Sequence, residues 1–298
     1  MDTAKEIILK QLPKSFAQKL ASVPFEHLEE IRFRVNRPIM LYFHGHTAFI
    51  TAEGSMTATS KHATAICRSD LDMLFAALCE NSVYAHLNDI TDGFITLRGG
   101  HRVGISGRCI IKNGEITNVT AVSGINIRIA HACSGCATEL ALALRKNGMV
   151  CNTLLIAPPQ CGKTTTLRDL ARIFSADFKI SIVDERSEIA GSCDGVPQFD
   201  VGMQTDVLDR FPKARGMLFA LRSLSPDILM TDELGAPPDI AALREVSRAG
   251  CRLIASVHGA SVEDVEKTRP GLLSFFDMAV LLARRNQLPC VTDVIKLR

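Results

Sequence analysis

Leu154-Leu155-Ile156-Ala157-Pro158-Pro159-Gln160-Cys161-Gly162-Lys163-Thr164-Thr165 decides the fold. An apolar strand runs into a tight loop, and Gly-Lys-Thr opens a helix that reaches about Phe174. This order suits a nucleoside triphosphate, because loop and helix N–H groups converge on its phosphates. Pro158, Pro159, Gln160, Cys161, Gly162 and Thr165 would line the cradle. Lys163 would reach the β- and γ-phosphates, and the Thr164 hydroxyl would ligate Mg²⁺. Ala157 stands where the G-x-x-x-x-G-K-[ST] pattern has its first glycine.

The chain downstream alternates strands and helices. Phe178–Val183 reads as a strand ending in Asp184-Glu185-Arg186-Ser187-Glu188, and acidic groups past a strand's carboxyl end lie where open α/β sheets bind ligands. Either Glu185 or Glu188 could position water there, or the charges could simply cap a loop. Residues 201–210 read as loop and Phe211–Leu224 as a helix. Ile228-Leu229-Met230-Thr231 then leads into Asp232-Glu233. Following a phosphate loop in a β/α alternation, this pair is its expected partner: Asp232 for Mg²⁺, Glu233 for the attacking water. After a helix over 239–249, strand Cys251–Val257 carries His258 at its tip, where a nucleotide sensor or a structural histidine would sit. Met278–Leu282 and Cys290–Leu297, around Asn286-Gln287, read as two closing antiparallel strands.

Composition narrows the class. The 298 residues suggest two domains or one large one, and 47% hydrophobic content supports a sizeable core. A net charge of +2, 5% aromatics and no Trp disfavour a nucleic-acid partner. No apolar run approaches the roughly 18–20 residues that span a bilayer. Met1–Glu6 has no signal-peptide pattern, so the expectation is a cytoplasmic protein that reaches membranes only through partners. A cysteine inside the loop favours free thiols in a reducing compartment. Cys133-Ser134-Gly135-Cys136 has metal or redox spacing, but no second Cys or His pair completes a zinc site.

The first half reads as a smaller α+β domain over residues 1–148, ahead of a domain over 149–298. Residues 4–22 are helical with a break at Pro13, and Leu28–Val35 and Ile39–Phe43 flank an Asn36-Arg37-Pro38 turn. Ile66–Cys79 reads as an amphipathic helix. The stretch 93–108, rich in Gly and Arg, suggests short strands with tight turns, and Asn113-Gly114 adds a hairpin signal. Residues 135–148 read as a helix ended by Asn147-Gly148. Arg98, Arg102, Arg108 and Arg128 fall on strands or turns. Each suits a solvated sheet face, yet one or two could stabilise charge on a γ-phosphate as arginine fingers do.

With these pieces assembled, the second half resembles the RecA-like core of the secretion-ATPase superfamily, the motors of type II and type IV secretion and of pili. The corresponding residues are Gly162-Lys163-Thr164, Asp184-Glu185, Asp232-Glu233 and Ser256-Val257-His258-Gly259. The chain is closer still to the branch that acts in sporulation. Glu30-Ile31-Arg32-Phe33-Arg34, Ser82-Val83-Tyr84-Ala85, Gly99-Gly100-His101-Arg102-Val103-Gly104 and the run Val183–Gly191 carry that likeness over nearly the whole length. It implies an α/β fold with a parallel-rich central sheet, ATP and Mg²⁺ as cofactors, and a homo-oligomeric, usually hexameric ring with nucleotide between domains and between subunits. Arg102, Arg108 or Arg128 would serve that site, with Glu233, Glu185 and His258 as its catalytic candidates. The branch also implies a motor on the mother-cell side, docked on membrane-embedded channel proteins of the same operon. Val183 departs from the glutamate that secretion motors usually place there, which makes Glu185 the nearest substitute. The rival readings are a nucleic-acid-dependent RecA-like ATPase and a nucleotide-binding scaffold with little turnover.

Overall fold

The computed structural model describes residues 3–91, 93–131, 133–285 and 288–298, without the side chains of residues 85 and 88. It forms two compact units, Met1–His131 and Ala132–Arg298. Their boundary lies at His131 rather than at residue 148, because Ala137, Leu140, Ala141 and Leu144 are buried in the core of the second unit.

In the first unit, helices α1 (Ala4–Gln11) and α2 (Lys14–Leu20) flank Pro13, which ends the first and precedes the second. Strands β1 (Leu28–Arg34), β2 (Met40–Phe43), β3 (His46–Ile50) and β4 (Met56–Thr57) form a meander. Helices α3 (Arg68–Leu78) and α4 (Leu87–Thr91) follow, then β5 (Phe94–Thr96), β6 (Arg102–Lys112) and β7 (Glu115–Arg128). The strands make one seven-stranded sheet, β4-β3-β2-β1-β7-β6-β5, antiparallel throughout. Alternation buries Ile31, Phe33, Val103, Ile125 and Ile127 on one face against Ile8, Phe16, Leu71 and Leu74 of the helices.

The Gly/Arg-rich stretch departs from the expected short strands. It feeds an 11-residue strand, β6, paired with the 14-residue β7 and closed by Asn113 (φ 54°) and Gly114 (φ 84°). The register shifts between Ser106 and Arg108. A Cβ on Gly107 would come within 2.7 Å of the Thr120 carbonyl oxygen, so this glycine serves a bulge rather than a turn.

In the second unit, α5 (Thr138–Ala143) is shorter than expected. Strands β8 (Arg145–Lys146) and β9 (Met149–Val150) follow as a ribbon, with Asn147 (φ 52°) and Gly148 (φ 75°) as its turn. The β/α core consists of β10 (Thr153–Ala157), α6 (Lys163–Phe174), β11 (Ile180–Asp184), β12 (Thr205–Asp209), α7 (Lys213–Ser223), β13 (Ile228–Thr231), α8 (Pro237–Arg248), β14 (Arg252–His258) and α9 (Val262–Thr268). Strands β15 (Met278–Arg285) and β16 (Leu288–Lys296) close it as an antiparallel pair; Asn286-Gln287 lies outside the described residues. The sheet order is β12-β11-β13-β14-β10-β15-β16, parallel up to β15. Residues 205–209, expected as loop, form an edge strand in which only Leu208 is buried, so its pattern reads as polar.

This is a RecA-like α/β core. Its central strands are buried on both faces, and successive residues enter different cores. Leu155, Ile182 and Met230 pack with Leu167, Leu170 and Phe174 of α6. Leu154, Val183 and Leu229 pack with Met217 of α7 and Leu243 of α8.

Candidate nucleotide site

Parallel pairing delivers the sequence motifs to one edge of the sheet. Ala157 at the end of β10 is paired with His258 at the end of β14, and Thr231 of β13 is paired with Ala255. The loop Pro158–Gly162 therefore faces the tip of β14 and the segment after β13.

Within that loop the left-handed positions are Gln160 (φ 61°) and Gly162 (φ 84°). Ala157 is not among them, which explains why alanine serves where the pattern has its first glycine. Gly162 is required twice over: its φ is positive, and a Cβ there would meet Pro289 Cβ at 2.7 Å. Pro158, Pro159 and Gln160 are exposed, whereas Cys161, Gly162, Thr164 and Thr165 are half-buried.

Lys163, the first residue of α6, is buried. Its Nζ donates to the carbonyls of Ala157 and Pro158, both at 3.0 Å, and to His258 Nδ1 at 2.9 Å. Burial lowers its pKa, opposed by the carboxylates of Asp232 and Glu233. The Thr164 hydroxyl donates to Asp232 Oδ2, and the Ser256 hydroxyl donates to Asp232 Oδ1. A hydroxyl and a carboxylate brought together are the hard-oxygen donors that Mg²⁺ takes.

Glu233 has φ 53°, an uncommon conformation for a side chain of its size. Its N–H donates to Ser256 Oγ at 3.1 Å and to Asp232 Oδ1 at 3.0 Å, and its carbonyl accepts from Lys213 Nζ at 2.8 Å. The carboxylate meets His258 Nε2 at 2.7 Å and Arg186 Nη1 at 3.0 Å. With the lysine ammonium facing Nδ1, the imidazole accepts there and donates from Nε2. His258 thus links Lys163 to Glu233.

The acidic loop after β11 is separately braced. Asp184 is buried and accepts the N–H groups of Glu188, Ile189 and Ala190 at 2.8–2.9 Å. Burial pushes its carboxyl up to about 6 despite these donors. Arg168 of α6 donates to the Glu188 carbonyl at 2.8 Å and to that of Ile189, and it stacks on Phe199. Glu185 accepts from the Lys213 N–H at 3.0 Å and lies 3.4 Å from its ammonium, at the start of α7. Val183 is fully buried, and a Cβ on Gly216 would touch it at 2.5 Å. Val183 is thus an apolar core position.

A family model described as "Sporulation stage III, protein AA" matches residues 2–291. The chain belongs to this family. Stage III sporulation protein AA of Bacillus subtilis is 40% identical over 274 residues, covering 89% of this chain and 85% of that protein. Among solved structures, the ATPase DotB of Legionella pneumophila aligns with a TM-score of 0.58 at 14% identity, covering 91% of this chain and 77% of that one. The pilus retraction motor PilT, solved with ADP, aligns with a TM-score of 0.58 at 12% identity, over 91% and 80%. These likenesses show that the chain shares the fold of DotB and PilT.

In this chain the structure brings together Lys163, Thr164, Asp232, Glu233 and His258. The arginines belong to the first unit. Arg102 and Arg128 are cross-strand partners on β6 and β7. The Arg102 guanidinium lies 4.4 Å from the centre of the Phe94 ring, while Arg128 Nε donates to Glu30 at 3.2 Å. Arg108 lies beyond the register shift, paired with Thr120.

The sequence singles out the stretches that hold Ser256 and Arg186 without giving either residue a role, and it carries no signal for Lys213. Only tertiary folding brings Lys213 and Arg186 to Glu233. Cys133 and Cys136 are thiols on a turn whose Gly135 and Ala137 N–H groups donate to Asp169 of α6 at 3.0 and 2.8 Å. Burial drives the Cys136 thiol up to about 12. Among the described residues no cluster of His, Cys, Asp and Glu suits a metal ion, and no helix is long and apolar enough to cross a membrane.

Proposed function

We propose that this chain is a Mg²⁺-dependent ATPase that works as a ring, on the pattern of secretion motors, and powers a channel complex during sporulation. The observation that carries the reading is the meeting of Thr164 with Asp232 beside Lys163 and Glu233. Lys163 would hold the β- and γ-phosphates, and Thr164 and Asp232 would hold Mg²⁺. Bound Mg²⁺ would supply charge neutralisation on the phosphate oxygens. Glu233 would orient and activate the attacking water, with His258 reporting to it from Lys163. Glu185, held by Lys213, would shape the acidic loop.

Arg102, Arg108 and Arg128 are the candidates for neutralising charge at a nucleotide in the assembled ring. The ring would be a hexamer on the mother-cell side, docked on membrane-embedded partners of the same operon. Kinship with a protein named for sporulation supports that setting.

A second reading is a nucleotide-binding scaffold with little turnover. The occupied Lys163 ammonium and the doubly bonded Glu233 carboxylate favour it. Equilibrium titration with ATP, with and without Mg²⁺, tests the shared premise. Lys163→Ala is expected to abolish binding, and Asp232→Ala to abolish the Mg²⁺ dependence. Unchanged binding in Lys163→Ala contradicts both readings. Glu233→Gln separates them: loss of turnover and of the biological readout supports the motor, while loss of neither supports the scaffold.

A further inference from the structure

Both carboxylate oxygens of Glu233 have partners of different origin. Oε1 meets His258, whose other ring nitrogen is tied to the phosphate-binding candidate Lys163. Oε2 meets Arg186, which belongs to the loop after β11 and whose side chain is 66% exposed. The base of that loop is fixed by Asp184 from within and by Arg168 from α6. Arg186 therefore holds Glu233 from an exposed position on a braced support.

The backbone of Glu233 is fixed as well, through Ser256, Asp232 and Lys213. Its carboxylate can be redirected only by side-chain rotation. A general base has to aim a lone pair at the proton it takes. An ion pair at Oε2 resists that rotation and draws electron density from the carboxylate.

We propose that Arg186 is a positioning residue that parks Glu233, so that turnover requires the Arg186–Glu233 pair to open. This rests on the ATPase reading above. The two restraints answer to different events. Phosphate capture by Lys163 withdraws the partner of His258, whereas the exposed Arg186 is within reach of an anionic group arriving from outside the site. An exposed ion pair is weak and salt-screened, so the restraint sets a few-fold brake on turnover.

The test is steady-state Mg²⁺-ATP hydrolysis by the full-length chain, comparing wild type, Arg186→Gln and Arg186→Lys at low and high salt. Because Arg186 is exposed, these variants should fold, and nucleotide affinity serves as the control. Arg186→Gln is expected to raise kcat by about two- to five-fold with KM unchanged. Arg186→Lys keeps the charge and should restore most of the restraint. Salt should raise wild-type turnover toward that of Arg186→Gln. In a Glu233→Gln background the Arg186 substitution should leave the residual rate unmoved, a coupling that a merely structural role would not produce. Wild-type turnover with an unchanged or lowered kcat in Arg186→Gln overturns the latch and leaves the ATPase reading standing. No turnover in any variant, with nucleotide bound, overturns both.

Discussion

The two seven-stranded sheets bury apolar surface in different ways, and the difference decides where each unit can carry polar chemistry. In the second unit every residue of β10, β11 and β13 is buried, because helices cover both faces. Those strands are taken up by core packing, so Lys163, Asp232 and Glu233 gather past the strand ends, beside His258 at the tip of β14. In the first unit the described helices pack against one face. The other face carries Arg32, Arg34, Arg102, Asn126 and Arg128, along with Glu30, which links Arg32, Arg128 and Asn126. One unit thus gathers its candidate-site groups at the strand ends, and the other carries a charged network on a sheet face.

The sharpest way to break this contrast is at the edge. Glu233→Gln should lower turnover by about 10²–10⁴-fold with nucleotide still bound, read in single-turnover assays. Next come the doubly covered strands. Leu155→Ala should cost about 2–5 kcal/mol, measured as lost hydrogen-exchange protection in the second unit. Gly162→Ala should cost about 1–3 kcal/mol through its φ of 84° and the contact with Pro289, and it should weaken nucleotide binding more than it lowers the melting temperature.

A smaller, pH-dependent effect belongs to Asp184. The folded chain holds its proton up to about pH 6, above the ordinary aspartate range. Its contribution to stability is therefore largest below pH 4 and is lost as pH rises through 6. Denaturation midpoints of wild type and Asp184→Asn, compared at pH 4 and pH 7, should differ with that sign. Smallest of all, Arg34→Ala on the charged face of the first sheet should change stability by no more than about 0.5 kcal/mol. A large loss there would mean that this face is covered.

The same contrast explains what was legible in the chain. Continuous apolar runs such as Leu154–Ala157 and Ile228–Thr231 announce buried parallel strands, and their ends mark the site. Hence Lys163, Thr164, Asp232 and Glu233 are legible as candidates, and the structure brings them together. The edge strand Thr205–Asp209 was not, because one buried face of a peripheral strand leaves almost no apolar signal. Asn147-Gly148 is ambiguous by nature, since the pair ends a helix as readily as it turns a ribbon. The glycines around Gly107 read as turns in the sequence, because a bulge in a long strand uses the same residue for close approach. Arg186 and Lys213 carry no local signature, and only the packing of α7 and the braced loop brings them to Glu233.

The central claim is that this edge hydrolyses ATP in an assembly of subunits. Steady-state Mg²⁺-ATP turnover measured against protein concentration, with Lys163→Ala and Glu233→Gln as controls, tests it most directly. Turnover per subunit that rises steeply with concentration and is lost in both variants is the predicted result. Turnover that is independent of concentration, or that survives either substitution, would contradict it.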